Sequence, residues 1–238
     1  MKTLSSFLQE GLKIGKNWKR KKEYKYFPET KKELTDIIVK LIKERGIKAD
    51  LNDIDTSKID DMSYIFSNSY GSLGKFNGDI SEWNTSHVDN MQMMFFGSKF
   101  NQDISQWDVS NVRIMWNMFA NSNFNQDISQ WDVSNVTYMS KMFLNSKFDG
   151  DLSKWDTNSV EKMDYMFCDS IFSGKNGDIT GWNVQKVDNM NSMFENSNFS
   201  QNLNNWKVNK NTHTVDMFKN SPLARKKPSW YKNTITKY

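Results

Sequence analysis

FNQDISQWDVSNVRIMWNMFANSN, residues 100–123, is followed at once by FNQDISQWDVSNVTYMSKMFLNSK, residues 124–147. A self-similar period of this length is the signature of stacked-repeat architectures, and it takes priority over local secondary-structure signals. Working outward from the pair, tryptophan recurs at Trp83, Trp107, Trp131, Trp155, Trp182 and Trp206, in steps of 24, 24, 24, 27 and 24 residues. A Met-Phe pair keeps the same beat from Met94-Phe95 to Met217-Phe218, with a degenerate copy at Ile65-Phe66, which makes seven units.

Within a unit the apolar positions, taking one copy, are Ile80, Trp83, Val88, Met91, Met94 and Phe95. Ile-x-x-Trp with the alternation of Trp83 and Thr85 reads as a short strand, and the three-residue spacing through Val88, Met91 and Met94 reads as one helical face. Turn chemistry such as Asn121-Ser122 closes each unit. The expected fold is therefore an α/β repeat, a leucine-rich-repeat-like solenoid of about seven 24-residue coils, each a short parallel strand plus a short helix. At a strand spacing of about 4.8 Å it would form a rod roughly 30–35 Å long. The tryptophan and methionine columns read as buried stacks. An aspartate ladder, Asp79, Asp103, Asp127, Asp151 and Asp178, reads as acceptors for backbone N–H groups of the turns that follow, with calcium shared between coils as the other option.

The 37% hydrophobic content is low, but 14% aromatic residues and 14 methionines supply large core side chains. Charge is segregated. Residues 1–48 carry 14 Lys/Arg against 6 Asp/Glu and residues 222–238 carry 5 against none, so basic ends flank an acidic middle. The expected organisation is a basic flexible arm (1–27), an N-terminal capping helix (28–48), the repeats (49–221) and a basic C-terminal tail or cap (222–238). In the cap, Thr30 and Glu33 fit a capping box, Leu34, Ile37, Ile38, Leu41 and Ile42 form the apolar stripe, and Gly46 ends the helix. Lysines of the arm, such as Lys19, Lys21 and Lys22, are a solvated tail or a patch for nucleic acid or another acidic surface. The single cysteine, Cys168, precludes an internal disulfide. No run reaches transmembrane length and the N-terminus lacks a secretory signal pattern, so a cytoplasmic or virion-associated location is expected unless export uses another route.

The pattern I-S-x-W-D-V-S-N-V-x-x-M-x-x-M-F-x-x-S-x-F-N-Q-D resembles the BspA-type leucine-rich repeats, in the branch abundant in mycoplasma and gut-bacterial surface proteins and first catalogued as a domain of unknown function. The resemblance covers roughly residues 50–221, with Ile104, Trp107 and Val109 in the places of the leucine-rich strand. It implies a right-handed solenoid and a role in adhesion or protein binding at a cell surface. A second resemblance is confined to MKTLSSFLQE, which is similar to the capsid-targeting peptides of T-even-like phages, cut after Leu/Ile-x-Glu. It implies processing between Glu10 and Gly11 and a virion-associated or head-internal structural protein. The same residues also place Leu4, Phe7, Leu8 and Leu12 on one face of a short amphipathic helix.

No catalytic constellation appears. The two histidines, His87 and His213, are far apart and neither accompanies a nucleophile motif, and no phosphate-cradling glycine loop is present. The expected function is a non-enzymatic binding or adhesion scaffold with no cofactor. Its expected contact surface is a polar strand face made by Gln106 and Gln130 before the tryptophans and by Asn84, Asp108, Asp132, Asp156 and Asn183 after them. The three consecutive aspartates would create a negative stripe suited to a basic protein partner, or to calcium, and a regular polar sheet also suits a glycan.

Overall fold

The computed structural model describes residues 23–231. Each unit is built mainly from tight turns. In the unit holding Trp107, backbone hydrogen bonds from residue i+3 to residue i close turns at Ile104–Trp107, Val109–Val112, Met115–Met118 and Asn117–Ala120. The 3-3-1 spacing of Val112, Met115, Met118 and Phe119 was expected to mark a helical face, but successive four-residue turns also return every third side chain to one side. What breaks a helix here is left-handed backbone: Asn117 has φ +56° and Asn121 φ +57°. Among the described residues the units contain no α-helix, and their pairing consists of isolated parallel bridges rather than extended strands.

Those bridges do not run through Ile104-x-x-Trp107-x-Val109, where a strand was expected. They connect Asp61, Asn90, Ile114, Tyr138, Lys162, Asn189 and His213 in sequence, and two further bridges, Tyr26 to Ile54 and Asp50 to Asp79, lie at the N-terminal end. Beside them, alternate N–H groups of one unit donate to carbonyls of the next: Met115 to Tyr138, Asn117 to Ser140, Phe119 to Met142 and Asn121 to Leu144, at 2.8–3.0 Å. The same four-bond pattern recurs at every junction from residue 62 to residue 219. We call this part of each unit, such as residues 113–121, the ladder segment.

Positive φ recurs at two positions of that segment. The second position holds Gly97, Asn121, Asn145, Asp169, Asn196 and Asn220, residue types that tolerate left-handed backbone. The first accepts almost anything, Tyr64, Met93, Asn117, Lys141, Tyr165, Ser192 and Asp216, so the fold holds strained residues there by the bonds around them.

The core is a set of columns. Phe95, Phe119, Phe143, Phe167 and Phe194 are fully buried and stack on one another at 5.5–5.8 Å between centroids. A second phenylalanine column, from Phe76 to Phe199, lies against it, with Phe119 and Phe124 at 4.2 Å. The column tryptophans, Trp83, Trp107, Trp131, Trp155, Trp182 and Trp206, are 3–4% exposed. Each donates its indole N–H to a carbonyl of the preceding unit, as Trp131 does to Ile104 at 3.2 Å and Trp155 to Ile128 at 3.1 Å. Tryptophan thus fills the core and ties unit to unit.

At the N-terminal end, α1 (Lys31–Arg45) is capped by Thr30, whose hydroxyl accepts from Glu33 N, and by Gly46 at φ +87°. The capping box is shifted, because Glu33 accepts from the N–H of Glu29 rather than of Thr30. Leu34, Ile38 and Leu41 are fully buried in the same cluster as Leu51, Ile54 and Ile59 of the first unit. Arg45 grips both carboxylate oxygens of Asp53 at 3.0 and 2.9 Å. At the other end, residues 222–231 are more than a tail. Trp230 continues the tryptophan column, 6.3 Å from Trp206, and donates to Leu203 O at 2.7 Å.

Candidate functional site

The polar residues of the repeat are largely occupied in building it. Asp103, Asp127, Asp151 and Asp178 each accept the N–H two residues on, closing an Asx turn at 2.7–2.8 Å. Asn77, Asn101, Asn125 and Asp149 each accept a backbone N–H from the next unit at 2.7–2.9 Å. Asn111 and Asn135 donate from their amides to carbonyls of the preceding unit. The motif F-N-Q-D-I-S-Q-W-D-V-S-N is thus mostly an instruction for stacking.

The expected contact residues share this fate in part. Asp108, Asp132, Asp156 and Asn183 are exposed and Asn84 is half-buried. They stand at turns rather than in strands. Each uses one side-chain oxygen to accept a backbone N–H: Asn84 from Ser86, Asp108 from Ser110, Asp132 from Ser134, Asp156 from Asn158 and Asn183 from Gln185, at 3.0–3.1 Å. The Ser110 hydroxyl and then its N–H hold the Asp108 carboxyl below the usual carboxylate range, so this position stays anionic. Gln106 and Gln130 are exposed and donate to the neighbouring Ser105 and Ser129 hydroxyls, and Gln130 also accepts from Lys154 at 3.3 Å. Among the described residues no three His, Cys, Asp or Glu side chains gather at one point to hold a metal ion. Glu10, Gly11 and the basic arm as far as residue 22 lie outside the described residues.

Neither residue pair that invites a nucleophile reading is arranged for it. Burial pushes the Cys168 thiol up to about 12, with a hydrogen bond to Asp169 adding to the effect, which disfavours the thiolate. Ser86 Oγ lies 3.2 Å from His87 Nδ1, but these are sequence neighbours on an exposed surface, and the hydroxyl is also 2.7 Å from Asn84 Oδ1.

A different surface stands out on comparing the two near-identical units. Residues 100–123 and 124–147 match at 18 of 24 positions, and all six differences fall within 113–123: Arg113/Thr137, Ile114/Tyr138, Trp116/Ser140, Asn117/Lys141, Ala120/Leu144 and Asn123/Lys147. These belong to the ladder segment and its exit. Gln92, Ile114, Trp116, Tyr138 and Ser140 of three successive units line a shallow cleft of about 300 Å³. Tyr138 is 40% exposed and Trp116 half-buried. Seven column indoles, from Trp83 to Trp230, donate to the unit before, whereas Trp116 makes no side-chain hydrogen bond among the described residues. Trp116 was identifiable in the sequence as a tryptophan off the 24-residue beat, and Tyr138 as an aromatic replacing its unit-to-unit equivalent Ile114. A larger cleft, about 620 Å³, lies where α1 meets the first unit, lined by residues that include Lys31, Val39, Tyr64 and Leu73.

The chain is therefore a tandem array of 24-residue units closed by a helix at one end and Trp230 at the other. A family described as "Mycoplasma protein of unknown function, DUF285" matches it twice, over residues 38–147 and 120–231. With residues 38–231 covered, the chain belongs to that family. No curated protein and no solved structure matches it. Among the described residues no helix is long and apolar enough to cross a membrane.

Proposed function

We propose that this chain is a non-enzymatic binding scaffold, a leucine-rich-repeat-like solenoid of BspA type that presents the outer surface of its ladder segments to a protein or glycan partner. The observation that supports this reading is the confinement of all differences between residues 100–123 and 124–147 to the ladder segment and its exit. Where sequence must satisfy only the stack, the two units are identical. Where they differ, Asn117, Ala120 and Ser140 are buried, but Arg113, Ile114, Trp116 and Tyr138 are exposed or half-exposed, and Trp, Tyr and Arg dominate the energetics of protein interfaces. The acidic stripe of Asp108, Asp132 and Asp156 offers a second contact surface, suited to a basic partner.

The test is a unit swap. Arg113→Thr, Ile114→Tyr and Trp116→Ser together give residues 113–116 their successor's sequence while leaving every core column intact. Screening wild type and variant against arrays of purified proteins and glycans should show a partner bound by the first and lost by the second at unchanged thermal stability. A partner bound equally by both would remove the ladder face as the site.

A further inference from the structure

Three features of the Trp116–Tyr138 cleft bear on what it holds. Its lining is uncharged: an aliphatic side chain, two aromatic rings, a carboxamide and a hydroxyl. Its aromatic rings are unstacked, since neither Trp116 nor Tyr138 stacks on another ring or makes a side-chain hydrogen bond among the described residues, and the Tyr138 hydroxyl has only the electrostatic company of Lys162. Neighbouring aromatics differ in this respect. Lys141 sits over the Tyr165 ring at 5.4 Å, and Tyr64 O–H is met by Gln92 Nε2 at 2.6 Å. Finally, its polar groups are half-used. The Gln92 amide nitrogen is bound to Tyr64, leaving its carbonyl as an acceptor; the Ser140 hydroxyl donates to Asp164 Oδ1 at 2.6 Å, leaving oxygen lone pairs.

The cleft therefore offers two donors, the Trp116 indole N–H and the Tyr138 O–H, two acceptors, and two apolar ring surfaces, with no charged side chain in its lining; the opposite charges of Lys162 and Asp164 stand behind Tyr138 and Ser140. Its volume of about 300 Å³ is at the small end of ligand sites. A protein surface large enough for stable association must cover about 800 Å² of each partner, far more than two unstacked rings provide. A pyranose ring is the complement: one C–H face to lie on an aromatic ring, and a rim of hydroxyls that both donate and accept. From this geometry we infer that the cleft formed by Gln92, Ile114, Trp116, Tyr138 and Ser140 is a binding site for a neutral saccharide. The inference rests on the scaffold reading and names its ligand class.

The probes are neutral oligosaccharides of glucose, galactose and N-acetylglucosamine, screened on a glycan array with the full chain and followed by isothermal titration of each hit. Trp116→Ser is the main variant, because serine occupies the equivalent position in the next unit and the fold accepts it there. It should weaken binding at least about tenfold, as loss of an aromatic platform does. Trp116→Phe, which keeps a ring, should recover part of the loss, and Lys186→Gln, an exposed position outside the cleft, should bind as wild type. The inference is overturned if no neutral saccharide binds at millimolar concentration, or if binding survives Trp116→Ser. A protein partner that needs Trp116, with no saccharide bound, would overturn the saccharide and leave the scaffold reading standing. A partner indifferent to the ladder-face swap would overturn both.

Discussion

Replacing Trp131 with alanine should be among the costliest single changes in the chain, while the adjacent Asp132→Ala should be nearly silent. Trp131 is 3% exposed, tilts against Phe119 at 6.2 Å between centroids, and donates its indole N–H to Ile104 O at 3.2 Å. Truncating a buried aromatic to alanine costs about 3–5 kcal/mol. At roughly 2–4 °C per kcal/mol for a chain of this size, the melting temperature should fall by about 6–20 °C. Trp131→Phe separates the two roles, since it keeps an apolar ring in the column but removes the unit-to-unit hydrogen bond to the Ile104 carbonyl, which still accepts from Trp107 N–H at 3.1 Å. Losing one intramolecular hydrogen bond while the acceptor keeps another partner costs about 0.5–1.5 kcal/mol. Asp132 is exposed and closes one Asx turn through Ser134 N, so its loss should stay within about 1 kcal/mol. Urea unfolding followed by far-ultraviolet circular dichroism measures all three. Because each unit contacts mainly its neighbours, broadening of the Trp131→Ala transition would mean that the damage is local rather than global. Equal losses at positions 131 and 132, or a Trp131→Ala cost below about 1 kcal/mol, would refute the assignment of tryptophan as the inter-unit clamp.

Other outcomes follow from the same geometry. Met93 holds φ +52° at a position where the next unit uses Asn117, so Met93→Asn should raise stability by about 1 kcal/mol in the same urea assay; a loss would show that Met93 packing outweighs the strain. Changing Asp108, Asp132 and Asp156 together to asparagine should preserve the fold, because Asn84 and Asn183 close the same turn; it should weaken adsorption to a polylysine surface and flatten its salt dependence, and unchanged adsorption would discount the stripe as an electrostatic surface. Asp53 has its folded-state pKa lowered, chiefly by the hydrogen bond from Arg45, so its contribution is present above the unfolded carboxylate pKa and lost as pH falls through the folded value. Urea stability of wild type and Asp53→Asn should therefore differ at pH 7 and converge in acid, and a constant gap across pH would contradict the pairing.

Much of this architecture is legible in residue spacing. The 24-residue beat identifies the tryptophan, methionine and phenylalanine columns because only buried positions must repeat, and α1 announces itself through Thr30, its apolar stripe and Gly46. Backbone path is less legible. Turns and helix share a three-residue return, so Val112, Met115 and Met118 do not reveal that the chain resets through left-handed Asn117. Nor does Ile-x-x-Trp-x-Val reveal that unit-to-unit pairing runs through Ile114 and Tyr138 instead. The contact surface is obscured for the opposite reason. A repeated polar column such as Asp108, Asp132 and Asp156 attracts notice by its regularity, yet regularity is the mark of a stacking role, and each of these carboxylates closes a turn. Trp116 carries the other kind of signal, a large aromatic where the period does not require one.

The most direct measurement is the exchange and titration of indole N–H resonances in a 15N-correlated spectrum of the full chain, assigned by single Trp→Phe variants. The seven column indoles, each bonded to the carbonyl of the preceding unit, should be protected from deuterium exchange, whereas the Trp116 indole should exchange rapidly and be the resonance of the described residues that shifts when a neutral oligosaccharide is added. A protected Trp116, or a saccharide that shifts column indoles and leaves Trp116 unmoved, would contradict the division between stacking columns and binding face.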